Sequence, residues 1–385
     1  MGKWTRRGFI TAGVVGGAAL VVGVAIRPGN RNSQLAKHVA GEGESLINAW
    51  VKIDEHNHVT AIVPHSEMGQ GAQTALTQML ADELDANWED VSFIEAPAED
   101  GYANGPMGKG YILGDAKIPE LLVGTVDGVF QTVANAMHLQ ITGGSASVRA
   151  TGVHGMRVAG AAARQMLLEA AASEWSVPVS KLSAKNGMIS DGERSASYAS
   201  FAVAAGQLQP PHTPKLKSAD QFTIMGTHKP RHDIPSKVDG TAMFGIDADV
   251  EGMVYATVMA APVFGSSVKS LNSDDANAMS GVVDVVNLDD AVAVVADSYW
   301  TAKKALATLK VEWQQTGAAM LDSDKIFSQF QNDISSNVAA GKVNSDREEG
   351  DAAAAFKNAN RIVEREYRVP YLAHACMEPM NALAL

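Results

Sequence analysis

Two short glycine loops hold the residues of this chain whose types and spacing could do chemistry. The first is Met68-Gly69-Gln70-Gly71, set between an apolar run that ends at Val63 and a segment in which Leu76, Met79, Leu80 and Leu84 recur at helical spacing. Gly69 and Gly71 carry no Cβ, so backbone and ligand can approach closely there. A helix opening just beyond presents unpaired N–H groups and the positive end of its dipole, a setting for a phosphate or another electron-rich group. Gln70 adds an amide that both donates and accepts. A glycine turn that merely starts a helix is spelled the same way. The absence of a Lys-Ser/Thr pair separates the stretch from a nucleotide P-loop. The second loop, residues 141–149, contains Gly143-Gly144-Ser145-Ala146-Ser147 and leads into an alanine-rich helix expected over about 152–174. Serines beside glycines at a helix start are also ordinary N-caps.

These loops need elements to position them. Residues 49–53 and 59–63 flank a polar turn, 54–58, and read as a β-hairpin in which His56 and His58 are solvated turn residues. Residues 92–95 form a strand after the first helix, and residues 176–182 leave the second helix in a similar way. A loop–helix–strand unit is therefore expected twice, and two such loops converging on one ligand would explain the repetition. Arg157 and Arg164, seven apart on one helix face, are expected to be solvated. A proline-rich connector over 209–214 marks a domain boundary. Apolar runs at 253–260, 282–288 and 291–296, a helix over 298–309 and a strand over 310–313 then form an α+β module. A soluble-looking link over 320–342 leads to a strand over 361–367 and a closing segment, His374-Ala375-Cys376-Met377-Glu378-Pro379.

Composition sets the outer limits. At 385 residues the chain has room for about two or three domains with real cores. A net charge of -12 argues against nucleic acid or an acidic membrane surface as a partner. Cys376 is the single cysteine, which excludes an internal disulfide and a cysteine-ligated iron–sulfur cluster built from this chain alone. The cysteine itself reads as a small buried residue. The ten histidines show no HExxH-type spacing, so any metal would arrive inside a cofactor.

The first 27 residues read as a targeting segment. Thr5-Arg6-Arg7-Gly8-Phe9-Ile10 is a twin-arginine pattern, followed by an uncharged apolar run to Ile26. That run could just span a bilayer, so a cleaved signal and an uncleaved anchor both stay open. The twin-arginine route exports folded proteins to the periplasm, which suits a cofactor inserted beforehand.

The closing segment His374-Ala375-Cys376-Met377-Glu378-Pro379 resembles the H-A-x-M-E-P stretch of molybdenum hydroxylase large subunits, the xanthine dehydrogenase and aldehyde oxidase family. The pattern Arg231-x-Asp233-x-x-x-Lys237-Val238-Asp239-Gly240 and the strand 291–297 resemble that family's α/β-hammerhead domain. Residues 68–71 and 143–147 resemble two loops that wrap a molybdopterin dinucleotide. The first loop stands before the hammerhead motif rather than after it. Together with the leader, that order is similar to the β subunit of isoquinoline 1-oxidoreductase and to membrane-associated aldehyde dehydrogenases.

The resemblance implies an α+β fold in four parts: a leader over 1–27, a molybdopterin-binding domain (a permuted half) over 46–205, a hammerhead over 220–315, and the start of a second molybdopterin-binding domain over 320–385. It implies oxidative hydroxylation of an N-heterocycle or an aldehyde, with oxygen from water. The implied cofactor is molybdopterin cytosine dinucleotide, whose dithiolene holds the molybdenum. Electrons would leave through a small 2Fe-2S subunit, with a membrane cytochrome as a candidate further carrier. Implied cofactor contacts are Gly69, Gln70, Gly71, Gly144, Ser145 and Ser147. Glu378 would face the substrate pocket, and His374 would contact cofactor or pack. The family's general-base glutamate lies in a segment not found here, so the chain is expected to be an N-terminal half, inactive alone. An exported scaffold that kept the hammerhead without catalysis is the alternative. Replacing Arg6 and Arg7 with lysine should hold folded protein in the cytoplasm, measured by cell fractionation; unaltered export would point to the general secretory route.

Overall fold

The computed structural model describes residues 32–114, 116–316, 321–342, 347, 349–377 and 379–384; the twin-arginine leader and Glu378 lie outside the described residues. The chain forms two compact units, Met1–Ala242 and Met243–Leu385.

In the first unit a helix, α1 (Asn32–Val39), precedes a four-stranded sheet in the order β1 (Glu44–Asn48), β2 (Val51–Asp54), β3 (Val59–Val63) and β4 (Val91–Glu95). The expected hairpin is β2–β3, with Val51 opposite Ala61 and Ile53 opposite Val59. At its turn His58 is not solvated, because Nε2 lies 2.7 Å from Ser92 Oγ. β3 and β4 run parallel. Parallel strands need a crossover, and α2 (Ala72–Leu84) supplies it. All five β3 residues are buried because both sheet faces are covered. Val59, Ala61 and Val63 pack with Leu76, Leu80 and Leu84 of α2, while Ile62 packs with Leu35, Leu46 and Tyr102.

The second glycine loop runs straight into helix. α5 (Ser145–Thr151) continues through a π-turn at Gly152–Met156 into α6 (Arg157–Trp175), so the helix starts at Ser145 rather than near 152. Before it come α3 (Gly105–Leu113) and α4 (Glu120–Ala136), which the apolar periodicity did not reveal because five glycines interrupt their faces. Gly160 lets α6 press on α2: a Cβ there would collide with the Leu80 carbonyl oxygen. The chain leaves α6 into β5 (Ser183–Lys185), which pairs with β6 (Met188–Ser190) and β7 (Ser195–Ser197) in a separate antiparallel sheet ahead of α7 (Tyr198–Gly206). The repeat is therefore partial. Polar three-residue strands close as a local meander, whereas β4 joins the main sheet.

Arg157 and Arg164 are not solvated. Arg157 donates to Glu83 Oε1 at 2.6 and 2.8 Å, and Arg164 donates to Asp85 Oδ2 at 2.9 Å. Between these pairs Lys217 reaches Asp82 at 3.0 Å and Asp85 at 2.6 Å. The other Asp82 oxygen accepts the N–H groups of Thr223, Ile224 and Met225 at 3.1, 3.0 and 2.7 Å. Burial alone would raise the Asp82 carboxyl, but the bonds from Met225, Lys217 and Ile224 outweigh it and hold it below its ordinary range. The stretch after the proline connector is thus bound to the C-terminal end of α2 by buried charge.

In the second unit β10 (Val282–Asn287), β11 (Ala291–Ala296) and β8 (Tyr255–Ala260) form one antiparallel sheet, and β9 (Ser267–Asn272) pairs with β12 (Lys310–Gln314). A helix, α8 (Tyr299–Leu306), lies on β8 and β11 and buries Ala302 and Ala305 with Val294 and Ala296. A further helix, α9 (Ser323–Ala339), occupies the expected link. The strand expected over 361–367 does not form. These residues are exposed and, among the described residues, no sheet edge pairs with them. Cys376 is exposed rather than buried, because the closing segment has no covering layer here, and His374 is exposed with it.

Lys217→Met leaves the buried Asp82 carboxylate without its cation and takes from Asp85 one of its two cations, Arg164 being the other. Unfolding in urea should show a loss of about 3–5 kcal/mol. A loss within about 0.5 kcal/mol, the scale of an ordinary surface change, would mean the cluster does not hold the connector.

Candidate cofactor-binding site

Gly69 and Gly71 have φ of 95° and 74°, the left-handed region that glycine enters without strain. A Cβ at either would meet nothing within 4 Å, so these glycines serve backbone shape and leave open space beside them. The turn is locked from within. Glu67 Oε1 accepts from Gly69 N at 2.9 Å and Gly71 N at 2.8 Å, while Oε2 accepts from Gln73 N at 3.3 Å. The N–H groups expected to face a ligand are thus met by the chain's own carboxylate. Anions favour a helix N-terminus, and an acidic residue two before the glycine was the signal that could have announced this cap. Arg231 secures the arrangement: it lies 3.3 Å from Glu67 Oε1, donates to the Gly69 carbonyl at 3.1 Å, and pairs with Asp233 at 2.6 and 2.9 Å. The Arg231–Asp233–Lys237 cluster therefore packs within the first unit, against the glycine loop.

Gln70 spends its amide on the second loop. Its Oε1 accepts from Met68 N at 2.7 Å; its Nε2 donates to Ser66 O at 3.1 Å and Gly143 O at 3.1 Å, with Thr142 Oγ1 at 3.4 Å. Thr142 returns a bond to Ser66 O at 2.6 Å. The two loops, 72 and 73 residues apart in these contacts, are stapled side by side.

On the second loop Gly144 precedes α5, whose first turn has no side-chain cap, and Ser145 is exposed at its start. A Cβ on Gly144 would also meet nothing within 4 Å. Ser147 lies inside the helix, is buried, and sits 2.9 Å from Tyr111 Oη through its hydroxyl. A Cβ on Gly143 would collide with that Ser147 hydroxyl, so glycine is required there. The open backbone donors and hydroxyl thus belong to Ser145, while Gln70 and Ser147 support the walls.

Behind the staple lies a buried polar triad that sequence reading missed. His65 Nε2 is 2.8 Å from Thr151 Oγ1, and Asn104 Nδ2 donates to Thr151 Oγ1 at 3.0 Å while lying 3.4 Å from His65 Nε2. All three residues are almost wholly buried. Burial depresses the His65 ring below the usual imidazole range, partly offset by the Gly143 backbone beside it. The ring is therefore neutral at pH 7, and its Nδ1 has no hydrogen-bond partner of normal geometry. The triad ties the end of β3 to α3 and α5, so both loops leave one rigid floor. Among the described residues no cluster of His, Cys, Asp or Glu could hold a metal ion directly.

Replacing Glu67 with alanine exposes three amides at the mouth of α2 and removes an acceptor from Arg231. Stability to urea should fall by about 1–3 kcal/mol, with glutamine recovering part of it. An unchanged midpoint in both variants would mean that the loop holds its shape without Glu67.

Residues 11–107, which contain the first loop, match the molybdopterin cofactor-binding domain family. The chain is 30% identical to the membrane-bound aldehyde dehydrogenase (pyrroloquinoline-quinone) of Gluconacetobacter polyoxogenes, over 99% of this chain and 46% of that protein. It is 28% identical to the beta subunit of isoquinoline 1-oxidoreductase from Brevundimonas diminuta, over 87% of this chain and 44% of that one. A nicotinate dehydrogenase subunit of Pseudomonas putida is 26% identical over 89% of this chain and 26% of its own length. A quinoline 2-oxidoreductase structure from Pseudomonas putida 86 aligns with 24% of this chain and 16% of its own at 18% identity and a TM-score of 0.21, too slight a likeness to bear on the fold. The chain spans somewhat less than half the length of the first two curated relatives. The chain is thus similar to a molybdopterin cofactor-binding domain around its first loop, and along most of its length to subunits of an oxidoreductase and of dehydrogenases.

Proposed function

We propose that this chain is part of a large subunit that binds molybdopterin cytosine dinucleotide between its two stapled loops and oxidatively hydroxylates an N-heterocycle or an aldehyde. The observation that carries the reading is the pair of Gln70 bonds to Gly143 and Thr142. They bring together two glycine loops that the sequence separates, one of them inside the matched cofactor-binding region.

The residues present fit such a group. Gly69, Gly71 and Gly144 leave open space where any side chain would intrude, and Ser145 offers a hydroxyl at an uncapped helix start. Arg231 holds the Gly69 carbonyl and so fixes the first loop, its charge balanced by Glu67 and Asp233. Ser145 and the uncapped helix start would hold the phosphates, and Gly69, Gly71 and Gly144 would leave room for the pterin, with Gln70 and Ser147 fixing the loops that touch it. When bound, the group supplies the two-electron oxidation, with oxygen drawn from water. The chain's part would be to orient the group from two loops that rise from one floor, in which His65, Asn104 and Thr151 are joined by hydrogen bonds. Glu378 would orient a heterocycle nitrogen in the substrate pocket. Electrons would leave through a small 2Fe-2S subunit and a membrane cytochrome. In this reading residues 220–315 are the hammerhead and residues 320–385 the start of a second molybdopterin-binding domain, and the leader directs the folded protein to the periplasm. A non-catalytic scaffold is not favoured, since the curated relatives are named as dehydrogenases and an oxidoreductase.

The test is to purify the full chain with its iron–sulfur partner from molybdenum-replete cells and to measure molybdenum and the nucleotide released by acid. Molybdenum and cytidine monophosphate in about equal amounts are expected. A different nucleotide would correct the cofactor's form, and absence of both would end the reading. Pyrroloquinoline quinone in the extract would instead bring in the cofactor that the Gluconacetobacter relative's name carries.

A further inference from the structure

A second recess in the first unit shares no lining residue with either loop. A cavity of about 280 Å³ opens where α3, α4 and α6 meet the β1–β2 turn and the proline connector. That volume is near the lower end of small-molecule pockets, about 300–1,000 Å³. Its walls are mainly apolar: Trp50, Phe130, Val158, Ala162, Pro210 and Pro211. They are also firmly set. Trp50 meets Tyr102 edge to face at 5.8 Å between ring centroids. A Cβ on Gly105 would lie 3.0 Å from the Gln131 backbone and one on Gly155 would lie 3.1 Å from Pro106, so α3 has closed on α4 and on the π-turn before α6.

Asn48, Gln131, His154, Gln209 and His212 add polar edges to these walls, and one ammonium lines them. Lys109 lines the cavity with its side chain 13% exposed, and its only hydrogen bond among the described residues goes to Asp127 Oδ1 at 2.5 Å. An ammonium has three donors, so two are left for another acceptor. Asp127 is 38% exposed and can be hydrated if a second anion takes its place. A cationic ligand would meet Lys109, and a neutral hydrocarbon would leave the ammonium's remaining donors dry. A flat apolar body with a single carboxylate satisfies both the walls and the cation.

We propose that this cavity binds a small aromatic monocarboxylate of one or two rings, held by Lys109 with Asp127 as the internal anion it displaces. The site stands apart from the cofactor reading and does not rest on it. The test is equilibrium dialysis of the full chain against 2-naphthoate and its neutral counterpart, 2-naphthalenemethanol, with thermal unfolding to confirm that each variant is folded. One saturable site should prefer the acid by about tenfold or more. Lys109→Met should abolish that preference, Asp127→Asn should strengthen acid binding by freeing the ammonium, and Val158→Phe should block both ligands by filling the space. Absence of saturable 2-naphthoate binding at millimolar concentration would overturn the proposal. So would an acid preference that survives Lys109→Met, or binding unaffected by both Asp127→Asn and Val158→Phe.

Discussion

Two parallel strands cannot be joined by a tight turn, and the first unit is arranged around that constraint. β3 and β4 pair in parallel, so the chain between them must leave the sheet, cross it as a helix and return. The exit point is the glycine loop, at the C-terminal end of β3, where ligand-binding loops of such crossovers are commonly placed. The far end of the same helix carries Asp82, Glu83 and Asp85, which hold Lys217, Arg157 and Arg164. One crossover helix therefore positions the candidate cofactor loop at its start and binds the connector at its end.

The loop is shaped by charge as much as by glycine. Glu67 satisfies the amides that the turn leaves unpaired, and Arg231 balances Glu67 while holding the Gly69 carbonyl. A helix start satisfied from within does not collapse or recruit a neighbour, so the left-handed glycines stay in place. The second loop has no such internal cap and keeps its first turn open. This division of labour, one loop braced and one loop open, is what the Gln70 staple joins.

Much of the first unit was legible because its apolar residues keep strict periods. Leu76, Leu80 and Leu84 announce α2, and the alternation through β2 and β3 announces the hairpin. The glycine-rich helices α3 and α4 were not legible, since Gly105, Gly108, Gly110, Gly124 and Gly128 weaken the helical signal and their place is set by tertiary packing. The two glycine loops could be seen one at a time. Their junction could not, because it depends on a side-chain amide reaching a carbonyl 73 residues away. Arg157 and Arg164 misled for a related reason: spacing on one helix says nothing of the acidic end of another. Residues 361–367 have strand-like composition, yet a strand needs an edge to pair with.

The two loops act as one cradle, coupled through Gln70. Hydrogen exchange read by mass spectrometry on the full chain, with and without Gln70→Ala, addresses that coupling without any need for turnover. Faster exchange in residues 142–147 as well as in 66–71 is predicted, although the substitution lies in the first loop alone. Acceleration confined to 66–71, with 142–147 unchanged, would separate the two loops into independent turns.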